Sequence, residues 1–334
     1  MQRLLNQAKD YVDEMLDGIY LAHSSQVKFI NNDKRCLVAT RKKKGKVGIV
    51  TGGGSGHLPL FLGYVGEGLL DGCCVGGVFQ SPSSMQILDV TKEVDSGAGV
   101  LYLYGNYGGD IMNFDMAKDM AEMENIQVRQ VVAGDDVASA PKGMENKRRG
   151  VAGIFYAYKV AGGAAEAMLP LAEVERLAKK ACENVRSMGV ALTPCTIPEL
   201  GKSNFTIADG EMDLGMGIHG EPGIQVSKLK TADEIVDEIL SHILPDLPYE
   251  KGDEVSVLVN GLGATPKEEL YIVYRRVASV LAEKGISIFN NYIGEFATSM
   301  DMAGMSISLL KLDDELKTYL SMPCATPFFL QNQI

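Results

Sequence analysis

The chain has no tryptophan, only four histidines in 334 residues, and no CxxC pair among its six cysteines. Those cysteines (Cys36, Cys73, Cys74, Cys182, Cys195 and Cys324) are scattered. Without metal or dithiol spacing they read as reduced, mostly buried thiols of a cytoplasmic protein. No stretch approaches the roughly 20 apolar residues that a membrane-spanning helix needs. The first twenty residues, MQRLLNQAKDYVDEMLDGIY, interleave charges with apolar positions and lack the apolar core of a signal peptide. Basic side chains are outnumbered 32 to 43, and the only dense basic run is Arg41-Lys42-Lys43-Lys44. A net charge of −11 repels phosphate backbones, so neither nucleic acid nor membrane is an expected partner.

What the chain does have is glycine, 37 residues of it, within an ordinary globular composition of 46% hydrophobic and 22% charged residues. Its length exceeds what one hydrophobic core usually organises, which predicts two domains, 1–188 and 189–334. Short β-branched runs alternate with helical patterns, the signature of an α/β fold in both. Val47 to Val50 reads as a strand entering a glycine loop, Gly52 to His57, and Val100 to Tyr104 as another that empties into Gly105-Asn106-Tyr107-Gly108-Gly109-Asp110. Val128 to Val132, Val255 to Val259 and Ser306 to Leu312 supply further strands, and an amphipathic pattern from about Ala164 to Met188 reads as one long helix. Thr231 with Glu234 and Thr265 with Glu268 have capping-box spacing, with Pro266 at the favoured first helical position. Leu270, Val273, Tyr274, Val277, Val280 and Leu281 then repeat at helical period.

The glycine loops fail the tests for a nucleotide site. A P-loop needs Lys and Ser/Thr after its last glycine, whereas His57-Leu58 stands there, and a dinucleotide fingerprint finds no third glycine. Two histidines, His57 and His219, are bracketed by glycines, which strip away side-chain cover and present the ring. Each either satisfies a loop carbonyl or meets a ligand; spacing alone leaves both open. Neither has a second His or Cys at ligand spacing, so no metal is assigned. His23 and His242 lie in helical patterns and read as surface or satisfied residues. Asp110 follows a strand and a glycine loop, placing it either as a helix N-cap or as a general base for a ligand hydroxyl. The pairs Asp135-Asp136 and Asp313-Asp314 read as solvated turns, and Lys147-Arg148-Arg149 as an exposed charged turn.

Taken together, GGGSGH (52–57), YGNYGGD (104–110), RRGVAG (148–153) and GMGIHGEPGI (215–224) resemble the dihydroxyacetone kinase family, specifically its substrate-binding K subunit. NGLGATPKEELY (260–271) and TSMDMAGMSISLLKLDDE (298–315) extend the resemblance over essentially the whole chain. It implies two α/β domains with a substrate site at or near their interface, and a homodimer. It also implies that the residue at His219 captures the ketose carbonyl as a hemiaminal, and that His57 hydrogen-bonds the ketose and assists acid–base steps. Asp110 would meet the hydroxyl to be phosphorylated. Gly54, Ser55 and Gly56 of the first loop, Ser81 of the SPS turn, and Gly105 are the implied substrate contacts. The phosphoryl donor, ADP or ATP with Mg²⁺, belongs in that family to a separate L subunit or domain, so this chain is expected to bind no cofactor of its own and to be half of a kinase. A covalent bond to carbonyl carbon selects ketoses over polyols.

Three positions depart from the dihydroxyacetone-specific pattern: Leu58 where Glu is usual, Phe61 where His often follows, and Gly105 in place of Lys. Their loss predicts a larger, less polar pocket, and the GNYGGD form resembles the branch associated with four-carbon ketoses such as erythrulose. The family also contains ketose-binding transcriptional co-activators. Retention of His57, Asp110 and His219 together favours the kinase subunit, because a sensor needs the capture but not the base.

Overall fold

The computed structural model describes residues 3–334; Met1 and Gln2, which open the amphipathic N-terminal stretch, lie outside them. Packing divides the chain into two compact α/β units built from interleaved segments. Unit 1 takes the chain up to Ala133, Tyr156–Ala181 and Leu316–Ile334; unit 2 takes Gly134–Phe155 and Cys182–Glu315.

Unit 1 is built on six strands, β1 (Val27–Ile30), β2 (Asp33–Ala39), β3 (Gly48–Ser55), β4 (Gly72–Val78), β5 (Val100–Gly105) and β6 (Val128–Ala133), in the order β1-β2-β4-β3-β5-β6. β4, β3, β5 and β6 are parallel neighbours, while β1 and β2 add antiparallel at one edge. The chain leaves β3 for β4 on one side and later returns to β5 on the other. That reversal is a topological switch point at the carboxyl ends of the central strands, the usual ligand position in open α/β sheets. Helix α1 (Tyr11–Ala22) precedes the sheet, α2 (Ser84–Val94) follows β4, and α3 (Gly108–Met123) follows β5. Ser83 caps α2 in a capping box with Gln86. One face of the sheet packs Val50, Cys74, Tyr102 and Tyr104 against Ile87, Val90, Phe114 and Ala117 of α2 and α3. Each such fully buried large apolar side chain stabilises the fold by about 1.5–3 kcal/mol.

The single helix expected from Ala164 to Met188 is instead the end of α4 (Ile154–Glu166), then α5 (Leu171–Glu183), then strand β7 (Val185–Ala191). Met168 at positive φ and Pro170 end the first helix, and the β-branched and apolar run after Asn184 pairs into the unit 2 sheet. Residue 188 falls inside β7.

Unit 2 contains a short hairpin, β8 (Thr196–Ile197) with β9 (Lys202–Ser203), and a six-stranded mixed sheet. Its other strands are β10 (Glu211–Leu214), β11 (Gln225–Lys228), β12 (Glu254–Gly261), β13 (Ser287–Gly294) and β14 (Gly304–Leu312), ordered β11-β10-β7-β14-β12-β13. Helices α6 (Ala232–Asp246) and α7 (Lys267–Glu283) cover one face, burying Ile235, Ile239, Ile243, Leu270, Val277 and Leu281 on Val255, Val257 and Ile307. The Thr231/Glu234 capping box forms. The Thr265/Glu268 box does not: Pro266 is the N-cap, and the Thr265 hydroxyl donates instead to the Gly304 carbonyl at 2.7 Å.

Candidate functional site

In unit 1 the candidate residues converge on the carboxyl ends of β3, β4 and β5. Gly52 to Ser55, expected as a loop, continue β3. Gly54 must be glycine, because a Cβ there would lie 2.7 Å from both Gln80 N and Phe79 Cα. This close approach brings the strand end against the turn that carries Ser81. Ser55 tightens it, with its hydroxyl donating to Gly76 O (2.8 Å) and its carbonyl accepting from Phe79 N–H (3.0 Å).

His57 is not presented to solvent. It is 1% exposed and lies between two rings, stacked on Phe79 (centroids 4.9 Å, 19° apart) and edge-on to Phe61 (6.1 Å, 84°). Glycine neighbours remove cover from their own positions, but Phe61 and Phe79, both held at positive φ, supply it from elsewhere in the loops. The Phe61 ring also lies directly over Gly53, so this departure fills space at the loop where an enlarged pocket was expected.

Asp110 is buried in the first turn of α3, whose N-cap is Tyr107; it is therefore not the cap but the third residue of the helix. Acidic side chains are favoured there by the helix dipole. Phe114, one turn later on the same face, stacks on Tyr104 at 4.1 Å and sets its edge against Tyr102, which fixes how α3 meets β5. Ser81 reaches the same helix start: a Cβ on Gly109 would lie 2.6 Å from its Oγ. Gly105, buried, ends β5 just before this turn. The structure thus brings together Gly54, Ser55, Gly56, His57, Ser81, Gly105 and Asp110 as one neighbourhood of strand ends and loop turns in unit 1.

His219 belongs to unit 2, on a closed excursion between Leu214 and Ile224, which are joined by a 2.8 Å backbone hydrogen bond. Inside it Gly217 N–H donates to Glu221 O and Gly220 N–H to Gly217 O. The side chain of Glu221 clasps His219 twice: Oε2 accepts from the His219 backbone N–H, and Oε1 lies 3.0 Å from ring Nδ1. Asn204 Nδ2 donates to the His219 carbonyl at 2.8 Å. The His219 side chain keeps 22% exposure.

Beneath the loop stands Arg149. Its Nη1 is 3.8 Å from Glu221 Oε2, its Nη2 donates to Gly215 O, and its Nε donates to Asp136 Oδ2 at 3.0 Å. Gly217 leaves room for this meeting, since a Cβ there would lie 2.2 Å from Glu221 Oε2 and 2.4 Å from Arg149 Nη1. Burial raises the Glu221 pKa and is the largest single influence. The hydrogen bond and electrostatic attraction to His219, together with Arg149, outweigh it and hold the carboxyl down at about 2. Burial pushes Asp136 up to about 6, against the opposing pull of Arg149. Asp213, under the same loop, is also raised by burial.

Two expectations are overturned here. Asp135 and Asp136 are 1% and 2% exposed and form no solvated turn: Asp135 accepts from the N–H groups of Val151 and Gly153, and Asp136 from Ala138 N–H and Arg149. Arg148 is 1% exposed, paired through both terminal nitrogens with Asp246. Only Lys147 of that basic turn is exposed. Asp313 and Asp314 are exposed, as expected. Arg149, Asp136 and Glu221 are the residues that the sequence reading passed over; the His-x-Glu spacing of His219 and Glu221 was the available signal.

No helix among the described residues is long and apolar enough to cross a membrane, and all six cysteines are free. Comparison with known proteins places this architecture. Residues 17–328 match the Dak1 domain. The chain is 48% identical over 330 residues to the PTS-dependent dihydroxyacetone kinase 2, dihydroxyacetone-binding subunit DhaK, of Listeria innocua, covering 98% of this chain and 99% of that one. It is 41% identical to the L-erythrulose kinase of Pectobacterium atrosepticum, covering 98% of this chain but only 56% of that longer protein. Among solved structures, the dihydroxyacetone kinase operon co-activator Dha-DhaQ superposes with a TM-score of 0.91 at 32% identity, covering 98% of this chain and all of that one. A family match across nearly the whole sequence, with end-to-end identity to one of its members, makes this chain a member of the Dak1-domain family of dihydroxyacetone kinases.

Proposed function

We propose that this chain is the ketose-binding subunit of a dihydroxyacetone-type kinase. The observation that carries the reading is the 48% identity, over the full length of both chains, to a subunit named for binding dihydroxyacetone. In this reading His219 captures the carbonyl carbon of a short-chain ketose as a hemiaminal. His57 hydrogen-bonds the captured ketose and assists the acid–base steps, within an aromatic setting that keeps water out. Asp110 takes the proton of the terminal hydroxyl as that oxygen becomes the nucleophile for phosphoryl transfer, a step in which alignment supplies much of the rate. Gly54, Ser55, Gly56, Ser81 and Gly105 shape the contact surface. The nucleotide, ADP or ATP with Mg²⁺, supplies the phosphoryl group from a separate L-type subunit. The protein works in the cytoplasm as a homodimer.

The ketose is dihydroxyacetone or a four-carbon homologue such as erythrulose. The Listeria innocua relative favours the first, and Gly105 in place of the usual Lys favours the second. A second reading, a ketose-binding co-activator without kinase activity, draws on the 0.91 superposition with such a protein.

Phosphorylation assays with a purified nucleotide-bearing subunit of a related system separate the two. Ketose-dependent turnover that requires both proteins is the expected result. Ketose binding with no turnover under any donor would select the co-activator reading.

A further inference from the structure

The kinase reading assigns His219 as the group that captures the ketone but leaves unexplained why this imidazole would be nucleophilic, and the loop around it supplies the answer. We infer that Glu221 is a positioning residue for ketone capture: its carboxylate fixes His219 as the Nδ1–H tautomer, leaves Nε2 as the attacking nitrogen, and balances the charge that the ring acquires, while Arg149, anchored on Asp136, holds the carboxylate in place. The inference rests on the reading that His219 captures the ketone.

The geometry selects the tautomer. A carboxylate accepts hydrogen bonds and donates none, so at 3.0 Å from Glu221 Oε1 the ring nitrogen that carries the proton is Nδ1, and the in-plane lone pair is on Nε2. The second carboxylate oxygen is occupied by the His219 backbone N–H, so side chain and main chain of one residue are gripped by the two ends of one carboxylate. That arrangement fixes the ring relative to the loop as well as its tautomer. Asn204 holds the His219 carbonyl from the other side.

Arg149 makes the grip rigid. Its guanidinium spans Glu221, the Gly215 carbonyl and Asp136, so it ties the two arms of the loop to the segment that follows Gly134. Asp136 in turn accepts from Ala138 N–H, and its own N–H donates to the Arg149 carbonyl. The charged groups that brace the ring include Glu221 beside it, Arg149 on Glu221 and Asp136 on Arg149, with Asp213 within electrostatic reach of Arg149.

The capture step balances as follows. The Nε2 lone pair forms the N–C bond, the carbonyl π pair withdraws to oxygen, and that oxygen takes one proton from solvent to become a hydroxyl. The ring becomes an N-alkylated imidazolium, its charge faced by the Glu221 carboxylate across Nδ1–H; release of that proton gives the neutral hemiaminal. No oxidant or reductant is consumed. A carboxylate on the far nitrogen of a reacting imidazole performs the same two tasks, tautomer and charge, in hydrolytic triads, and removing such an orienting partner at metal-bound histidines costs about 10–100-fold.

The test uses the full chain with ¹⁵N-labelled histidine and dihydroxyacetone carrying ¹³C at its carbonyl. Ring ¹⁵N shifts report the His219 tautomer without ligand; conversion of the ketone carbon to a tetrahedral carbon reports capture and its rate. The wild type is expected to show Nδ1–H. Glu221→Ala is expected to move the ring towards the Nε2–H form and slow capture by about 10–100-fold. Glu221→Gln, which keeps the shape but not the charge, is expected to retain more of the tautomer than Ala yet still capture about tenfold more slowly, and it decides the matter if the alanine variant does not fold. Either folded variant capturing at the wild-type rate, or a wild-type ring that is Nε2–H, overturns the inference. His219→Ala distinguishes the two levels: a tetrahedral carbon that persists there sinks the capture reading itself, whereas its loss there combined with normal capture in the Glu221 variants sinks only the role of Glu221.

Discussion

Two histidines of this chain sit in glycine-rich segments of similar composition, and the fold treats them in opposite ways. His57 is enclosed between Phe61 and Phe79, held by shape, with backbone packed on backbone at Gly54. His219 stays partly exposed and is held by charge: Glu221 on its ring and main chain, Arg149 on Glu221, Asp136 on Arg149. A ring enclosed by aromatic neighbours has few orientations and little solvent, which suits a hydrogen-bonding or proton-shuttling role. A ring presented on a charged brace keeps part of its surface exposed, which suits bond formation. The same glycine signal therefore encodes two physical devices, and the flanking residues decide which one results.

The sharpest way to break this division is to ask whether capture and transfer separate between the two units. Asp110→Asn, in unit 1, is expected to leave ketose capture by His219 intact while lowering phosphoryl transfer about 10²–10⁴-fold, the usual loss of a general base. Turnover with an added nucleotide-bearing subunit, measured beside ¹³C-detected capture, checks both halves. A variant that fails to capture but still turns over would dissolve the distinction between a capturing loop and a transferring one.

A charge-held loop should also respond to pH. Asp136, raised by burial to about 6 from an ordinary value of 3.8, binds its proton more tightly folded than unfolded. Its contribution to stability is therefore fully present below about pH 4 and is lost as pH rises towards 6, a difference on the order of 3 kcal/mol. Glu221 has the opposite sign: depressed to about 2, it stabilises above its ordinary value near 4.5, and that support disappears as pH falls towards 2. Comparing unfolding free energies of wild type and Asp136→Asn between pH 4 and 6 isolates the first group. The variant should lack the downward slope; parallel curves would remove Asp136 as its source.

How these devices were encoded explains what could be read in advance. Local signals read well: the Thr231/Glu234 capping box, the apolar stripe of α7, and the strands at Val100 and Val128 are set by neighbours within one or two turns. The Thr265/Glu268 box had the same local signature, and it lost to a tertiary partner, the Gly304 carbonyl 39 positions away. Arg148 was read as an exposed turn because Asp246, which buries it, lies 98 positions on. Asp135 and Asp136 went the same way: their partners Val151, Gly153 and Arg149 arrive from a later loop. The burial of His57 was hidden for a related reason, since Phe79 reaches it only when β3 and β4 pair in register. The glycine motifs marked where the candidate site is, but not how each histidine is held.

Packing offers a smaller test of the same contrast. Gly54→Ala would set a methyl 2.7 Å from backbone atoms of Phe79 and Gln80, whose N–H groups are tied to Ser55 O and Gly77 O, whereas Gly217→Ala meets side-chain ends, Glu221 Oε2 and Arg149 Nη1. Overpacking of this kind costs about 1–3 kcal/mol. The Gly54 variant should lie at the upper end in thermal unfolding, and the Gly217 variant at the lower end with a disproportionate loss of ketose capture. Equal stability losses with equal capture would mean that the brace around His219 is no more deformable than the strand end around His57.

The smallest effect, and the one that bears on substrate choice, concerns Gly105. Its neighbourhood contains both kinds of surface: it ends β5, paired opposite Ala133, and leads within five residues to Asp110. Phe61 already fills the space over Gly53, and Gly105 stands where the dihydroxyacetone-specific pattern has Lys. Gly105→Lys would put a flexible aliphatic stem and an ammonium group at the end of β5, five residues before Asp110. One carbon unit in a pocket is worth about 1–3 kcal/mol, and a lysine stem can partly fold away, so the kcat/KM ratio of dihydroxyacetone to erythrulose should rise by about tenfold. The rise should come from poorer use of the four-carbon ketose, with capture of dihydroxyacetone by His219 unchanged. A ratio that does not move would place the chain-length filter elsewhere and remove Gly105 as the residue that sets it.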